Sequence, residues 1–358
     1  MSDYKEIQES IDMEKTKELL EQLPELCRTF YEAKQLSLTP KTQLNYAKKI
    51  KMYFEFLHEK IPPLKKKEIT DFTLDDFASV TVDIAMRYVT YLSYRRPDPK
   101  SERRNKKKTV DSYVECASTY YSYFIKNQYK LSDGSTISFN PFSAIERSKS
   151  RRKEVIYMDK NEQDRFLSSV SSGQGLSKRQ LAFHDKTALR EICICQILLD
   201  TGIRVSELVG LDIEDVDLVK CCMHVNRKGE HEDVVYFSDV TREIINEYIE
   251  SREIYCPEAY ERALFLSSTT SSRGNRLSVR SVERLVKKYA LAAKIPNAHQ
   301  ITPHKLRSTY AMEILDKTGN LALVQRLLGH ENITTTTIYA QAQESDKRDN
   351  RNIRYEDE

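Results

Sequence analysis

The sequence predicts a mainly α-helical protein of two domains, the second carrying a small antiparallel β-sheet. Three observations carry this. Gly and Pro are sparse, 9 and 10 in 358 residues, which favours long helices over turn-rich β architecture. Apolar residues recur at helical spacing, as in Leu19, Leu20, Leu23, Leu26 and Cys27. Only two short runs, Cys222 to Val225 and Val234 to Phe237, alternate as strands do. A chain of 358 residues is expected to hold two domains.

Residues 1–14 read as a polar lead-in, and residues 15–146 as a helical domain. Thr39-Pro40 is a helix start, with Thr39 as cap and Pro40 at the first helical position. The helix that follows carries Leu44, Tyr46, Ala47, Ile50, Tyr53, Phe54 and Leu57 on one side and Lys41, Lys48, Lys49 and Lys51 on the other. Another helix begins at Asp83 and ends near Arg95-Arg96-Pro97. A further one runs from Thr109, its expected cap, to Tyr129. Its aromatics (Tyr113, Tyr120, Tyr121, Tyr123, Phe124) are expected to pack rather than to stack on bases.

Residues 147–156 form a basic linker without apolar periodicity. The second domain, 157–340, opens on a helix capped by Asp159 or Asn161. Leu189 to Asp200 is apolar on most sides, hence a buried helix. Gly202 stops it, and Arg204 starts the next short helix. Lys228 falls in the turn between the two strands. Residues 341–358 are a charged tail.

Composition excludes several classes. No apolar run approaches the roughly 20 residues of a membrane helix, and the polar N-terminus is no signal peptide. The seven cysteines lack paired C-x-x-C spacing and read as reduced core thiols. There is no phosphate-binding Gly-x-x-x-x-Gly-Lys-Ser/Thr loop, and the seven histidines show no metal-ligand spacing. The acidic run Asp212, Glu214, Asp215 and Asp217 is read as structural, so neither metal nor cofactor is expected. Net charge is only +3, but the positive charge is clustered. Residues 95–108 hold eight basic side chains, among them Arg103, Arg104, Lys106, Lys107 and Lys108, against two acidic ones. Residues 147–153 hold five, including Arg151 and Arg152, against none. With Lys41, Lys48 and Lys49, these are the candidate contacts to a DNA backbone.

The chemistry concentrates near the C-terminus. His304-Lys305-Leu306-Arg307 puts an imidazole and a guanidinium on one helical face. Leu327-Leu328-Gly329-His330 follows, and nine residues later comes Tyr339. A guanidinium grips phosphate bidentately, and a phenol becomes a nucleophile when a neighbour accepts its proton. Together these groups suit attack on a phosphodiester.

With Thr201-Gly202-Ile203-Arg204 and Arg227-Lys228-Gly229 upstream, the pattern resembles the tyrosine recombinases, the phage-integrase and Xer family, over roughly residues 155–340. The resemblance implies a catalytic set of Arg204, Lys228, His304, Arg307, His330 and Tyr339, with Glu207 at a supporting acidic position. It implies that Tyr339 forms a 3′-phosphotyrosine, that the two arginines neutralise the phosphate, that Lys228 protonates the 5′ oxygen, and that His304 serves as general acid/base and His330 as donor to a non-bridging oxygen. It implies a SAM-like helical core-binding domain ahead of the catalytic domain. The expected partners are a double-stranded DNA site and further copies of the chain, four on two sites, acting through a Holliday junction, with room for an accessory protein. A bacterial cytoplasmic, nucleoid-associated protein is implied. The short N-terminus points to an Xer-like or mobile-element enzyme. Two alternatives stay open: a non-catalytic DNA-binding regulator of the same fold, and the same chemistry used for relaxation or hairpin-end resolution.

Overall fold

In a computed structural model, residues 3–95, 104–146, 155–227, 232–255, 257, 261–329 and 338–339 can be described. Contacts divide the chain into two units, Ser2–Arg151 and Arg152–Glu358.

The first unit contains α1 (Asp3–Leu20), α2 (Glu25–Lys34), α3 (Pro40–Lys60), α4 (Leu74–Ala78), α5 (Val82–Tyr94) and α6 (Lys107–Lys126). The boundary expected at 14/15 falls inside α1, which docks on α3. The reason this helix is invisible to hydrophobic patterning lies in its seat. Its buried positions include Asp12 and Thr16; Thr16 Oγ1 donates to the Asp12 carbonyl at 2.7 Å, and the Asp12 carboxylate pairs with Lys41 at 3.6 Å. Pro24 separates α1 from α2, splitting the apolar run read as continuous. Thr39 caps α3 as expected, accepting from the Thr42 amide, with Pro40 in the first turn. Thr109 caps nothing: α6 begins two residues earlier, after Lys106, and has no side-chain cap.

The aromatics of this unit are its core. Phe77 stacks on Tyr121 at 3.8 Å and Phe30 on Tyr120 at 4.0 Å. Tyr121 donates its hydroxyl to the Phe77 carbonyl at 2.9 Å. The Tyr53 hydroxyl, 3.0 Å away, must therefore be the donor to Tyr121. Tyr120, Tyr121 and Phe124 are buried, so these three rings pack in the core rather than serve as platforms for bases, while Tyr113 and Tyr123 are half-buried.

The second unit contains α7 (Lys160–Ser172), α8 (Lys178–Thr201), α9 (Val205–Gly210), β1 (Val216–Asp217), β2 (Cys222–Asn226), β3 (Glu232–Tyr236), α10 (Asp239–Ser251), α11 (Val279–Ala292), α12 (Pro303–Thr318) and α13 (Leu321–Leu328). Of the two candidate caps for α7, Asp159 takes the role in a capping box with Glu162. The sheet is antiparallel in the order β1-β2-β3, with Met223 opposite both Val216 and Val235. β1 is two residues long, too short to show alternation. The main core gathers Phe166, Cys193, Ile194, Ile197, Leu198, Val286, Tyr289 and Leu306. A smaller cluster joins Ala311, Met312 and Leu315 of α12 to Val324 and Leu328 of α13 and to Tyr339.

The acidic run is engaged by protein groups. Asp212 pairs with Arg276, and Glu214 with Arg262 at 2.7 Å. Asp215 accepts from the Asp212 amide at 2.8 Å, and Asp217 from the Val219 and Lys220 amides. Of the described cysteines, only Cys221 is not buried, and none is in a disulfide.

Candidate active site

The site is built where α8 ends. Helix α8 stops at Gly202, whose φ of 63° lies in the left-handed region. A Cβ there would come within 2.4 Å of the Tyr310 ring, so the turn needs glycine on both conformational and steric grounds. This tight stop delivers Arg204 to the N-cap position of α9. Glu207, buried one turn on, accepts from the Arg204 amide at 2.7 Å and from its Nη1 at 2.7 Å. One carboxylate thus caps the helix and fixes the guanidinium, whose side chain stays 36% exposed.

Helix α12 supplies the next two groups. Arg307 is 2% exposed. Its Nη1 donates to the Gly202 carbonyl at 2.5 Å and its Nη2 to the Leu328 carbonyl at 2.5 Å. It therefore joins the end of α8 to the end of α13. Burial, followed by the charge of Arg204, pushes its pKa down to about 10, with Arg227 adding to the effect and Glu207 and Tyr339 opposing it. The guanidinium stays charged at neutral pH, but in a locally cation-rich place. His304, on the first turn of α12, is exposed as a residue. Partial desolvation of its ring, then the charges of Lys305, Arg307 and Arg204, hold its pKa below the ordinary imidazole value.

His304 is expected to titrate, by NMR of its ring protons, with a midpoint below about 6.5, and Arg204→Ala to move that midpoint upward. A midpoint above the ordinary value would show that the surrounding cations do not act on it. The sign for stability follows: a histidine depressed in the folded state costs nothing above the unfolded pKa and destabilises as pH falls through and below it.

Tyr339 is 1% exposed, its ring in the small cluster between α12 and α13, and near enough to Arg307 for the two to interact electrostatically. Lys228 and His330 lie outside the described residues, as do Arg103, Arg151 and Arg152. The chain neighbours of the first two are described, and they touch: a Cβ on Gly329 would fall 2.5 Å from Arg227 Cζ. Arg204, Glu207, His304, Arg307 and Tyr339 are thus brought together from three segments.

The basic candidates of the first unit are spread out. Lys41 pairs with Asp12, Lys49 donates to Ser112 Oγ at 2.6 Å, and Lys48 is exposed. Arg104 lies over the Tyr94 ring at 4.9 Å. Lys106, Lys107 and Lys108 are exposed at the start of α6, whose first turn has no acidic residue. Cations at the positive end of a helix dipole are unfavourable unless an anion joins them.

Sequence reasoning missed Arg227. It follows the last residue of β2 and is 8% exposed. Two of its three hydrogen bonds go to carbonyls about a hundred residues away along the chain, so no local pattern marks them.

Residues 156–346, more than half of the chain, match the phage integrase family. The chain belongs to that family. The matched span takes in Arg204, Glu207, Lys228, His304, Arg307, His330 and Tyr339, and leaves the basic candidates of the first unit outside it. Among curated proteins, the chain is 28% identical over 345 residues to the tyrosine recombinase XerS of Streptococcus agalactiae serotype III, covering 91% of this chain and 94% of that protein. It is 30% identical over 220 residues to the tyrosine recombinase XerC of Actinobacillus pleuropneumoniae serotype 7, covering 62% and 63%. Among solved structures, the XerH site-specific recombinase bound to palindromic difH substrate superposes with a TM-score of 0.64 at 20% identity, over 92% of this chain and 83% of that one. The Tn1549 transposon integrase with transposon right-end DNA gives 0.59 at 18% identity, over 90% and 98%. The likeness of fold to these two structures therefore reaches beyond the matched domain into the first unit.

Proposed function

We propose that this chain is a site-specific DNA recombinase that cleaves and rejoins DNA through Tyr339. The observation that carries this is the convergence of Arg204, His304 and Arg307, with Arg307 near Tyr339 and Glu207 the carboxylate set against more than one cation. Such a site is costly without an anion and well suited to a phosphate gaining charge in a pentavalent transition state. The Tyr339 oxygen attacks phosphorus, the bond to the 5′ oxygen breaks, and the proton that oxygen needs comes from Lys228. His304 takes the phenol proton and His330 donates to a non-bridging oxygen. The freed 5′-hydroxyl of a partner strand then attacks the phosphotyrosine and releases Tyr339. One phosphodiester is exchanged for another, so no ATP is spent. Tyr339 must leave its apolar seat for this attack.

The first unit and the linker track the DNA backbone, with Lys106 to Lys108 at the start of α6 the strongest candidates because a phosphate there would relieve the clash with the helix dipole. Four copies act on two sites through a Holliday junction, as an Xer-like or mobile-element enzyme, in the bacterial cytoplasm at the nucleoid. Among the described residues no helix is long and apolar enough to cross a membrane.

The test is a nicked suicide duplex bearing a site selected from random DNA with the purified protein. A covalent adduct on a denaturing gel, mapped to the peptide containing Tyr339, is expected. DNA that is bound but never becomes attached would favour a non-catalytic regulator of this fold.

A further inference from the structure

We propose that Arg227 is a positioning residue for strand cleavage, a buried staple that ties the chain leading to Lys228 to the end of α13 and, through the Leu328 carbonyl, to Arg307. This rests on the proton-donor role given to Lys228 above.

The guanidinium makes three contacts. Nε donates to Asp233 Oδ2 at 2.6 Å, across the β2–β3 turn. Nη1 donates to the Leu328 carbonyl, and Nη2 to the Leu327 carbonyl at 3.2 Å. The first bond ties the residue after β2 to the start of β3. The other two cap the last turn of α13, which leads into Gly329 and His330. The Leu328 carbonyl is the same one that Arg307 Nη2 reaches at 2.5 Å. A carbonyl offers two lone pairs, and here two guanidinium groups take them. Lys228 follows Arg227 directly in the chain, about 3.8 Å on between Cα atoms, so what holds Arg227 acts on the proton donor proposed above.

Gly329 bears on the same point. Its φ of 59° is left-handed, and any Cβ would collide with the Arg227 guanidinium. The Gly329 backbone thus lies directly against the Arg227 side chain.

Stability alone is a poor reason for this arrangement. Burying a guanidinium costs desolvation, and Arg227 also acts against Arg307, contributing to the depressed pKa of that residue. An apolar side chain would fill the space without either cost. What it could not do is bridge a carboxylate on one segment and two carbonyls on another. Phosphate contact is also a poor reason, since the charge of this 8% exposed side chain is met within the protein by the Asp233 carboxylate, whereas the hydrogen bonds of Arg307 go to neutral carbonyls.

The experiment uses the full chain on the suicide duplex in two forms, one normal and one with sulfur replacing the bridging 5′ oxygen of the scissile phosphate. A leaving thiolate needs no proton, so the sulfur form bypasses the proton donor. Arg227→Met is expected to slow single-turnover cleavage of the oxygen form about 100-fold, the lower range for a positioned acid, with DNA affinity within about threefold on the view that it makes no phosphate contact. On the sulfur form most of that defect is expected to vanish. Arg227→Lys, a charge without the fork, is expected to remain slow on the oxygen form. Equal impairment of Arg227→Met on both forms, or full rescue by Arg227→Lys, would overturn the proposal. Lys228→Ala separates the two levels: sulfur rescue of Lys228→Ala without rescue of Arg227→Met rejects Arg227 alone, whereas no rescue of Lys228→Ala rejects the proton-donor role beneath it.

Discussion

Tyr339→Phe is expected to fold, bind DNA and form no covalent adduct. The ring is 1% exposed against Ala311, Met312, Leu315, Val324 and Leu328. Phenylalanine keeps that ring and loses one oxygen, so packing should change by less than about 1.5 kcal/mol, as for other near-isosteric swaps. Thermal unfolding would shift by a few degrees at most. Chemistry is another matter, because a nucleophile has no substitute: loss of a nucleophile that acts as part of a set costs on the order of 10⁶ in rate. Adduct formation should drop to the detection limit while the mobility shift persists. The chain has 21 tyrosines, and survival of the adduct would make one of the others the nucleophile. Tyr310 would be the first to examine, since it packs on the Gly202 turn beside the same arginines.

What could be read from the sequence divides by the range of the interaction. Thr39-Pro40 and Gly202-Ile203-Arg204 were legible because cap and turn chemistry acts within a few residues, and the structure uses both. The aromatic core of the first unit was legible because helical spacing assigns a face. Helix α1 was not, because it is held by Asp12 and Thr16 rather than by an apolar stripe. The start of α6 was misread because a threonine in a cap-like context outweighed three lysines that begin the helix without any cap. Arg227 was missed for the most general reason: its meaning lies in Leu327 and Leu328, and nothing near it in the chain announces them. The Glu207 brace falls between these cases. Its spacing from Arg204 could be seen in the sequence, but its double grip on the amide and the guanidinium could not.

Arg307→Ala is expected to damage both the fold and the chemistry, and the two losses can be told apart. Arg307 is the shared donor for the Gly202 and Leu328 carbonyls. Removing it takes the donor from the Gly202 carbonyl and leaves the Leu328 carbonyl to Arg227 alone; one unpaired buried acceptor costs about 1–3 kcal/mol, and a cavity opens between the ends of α8 and α13. A loss of about 3–5 kcal/mol is expected, in the range for breaking a buried charged contact, read as a lower denaturant midpoint. In a marginally stable domain this is a large share of the total, so activity must be measured cold, where the variant is folded. There, cleavage should still be down at least about 10²–10³-fold, the cost of losing one preorganised donor to a developing oxyanion. Arg307→Lys sharpens the distinction. It returns a positive charge, but one ammonium cannot span two carbonyls on separate helices and also face a phosphate. Its stability should lie between those of the wild type and Arg307→Ala, with cleavage close to that of the alanine variant. The cationic crowding that pushes Arg307 to about 10 gives a further handle: bound phosphate relieves it, so DNA should stabilise the wild type more than either variant. A variant that is less stable yet cleaves at the wild-type rate when folded would make Arg307 a clamp between helices and nothing more, and the phosphate would then have to be held by Arg204 alone.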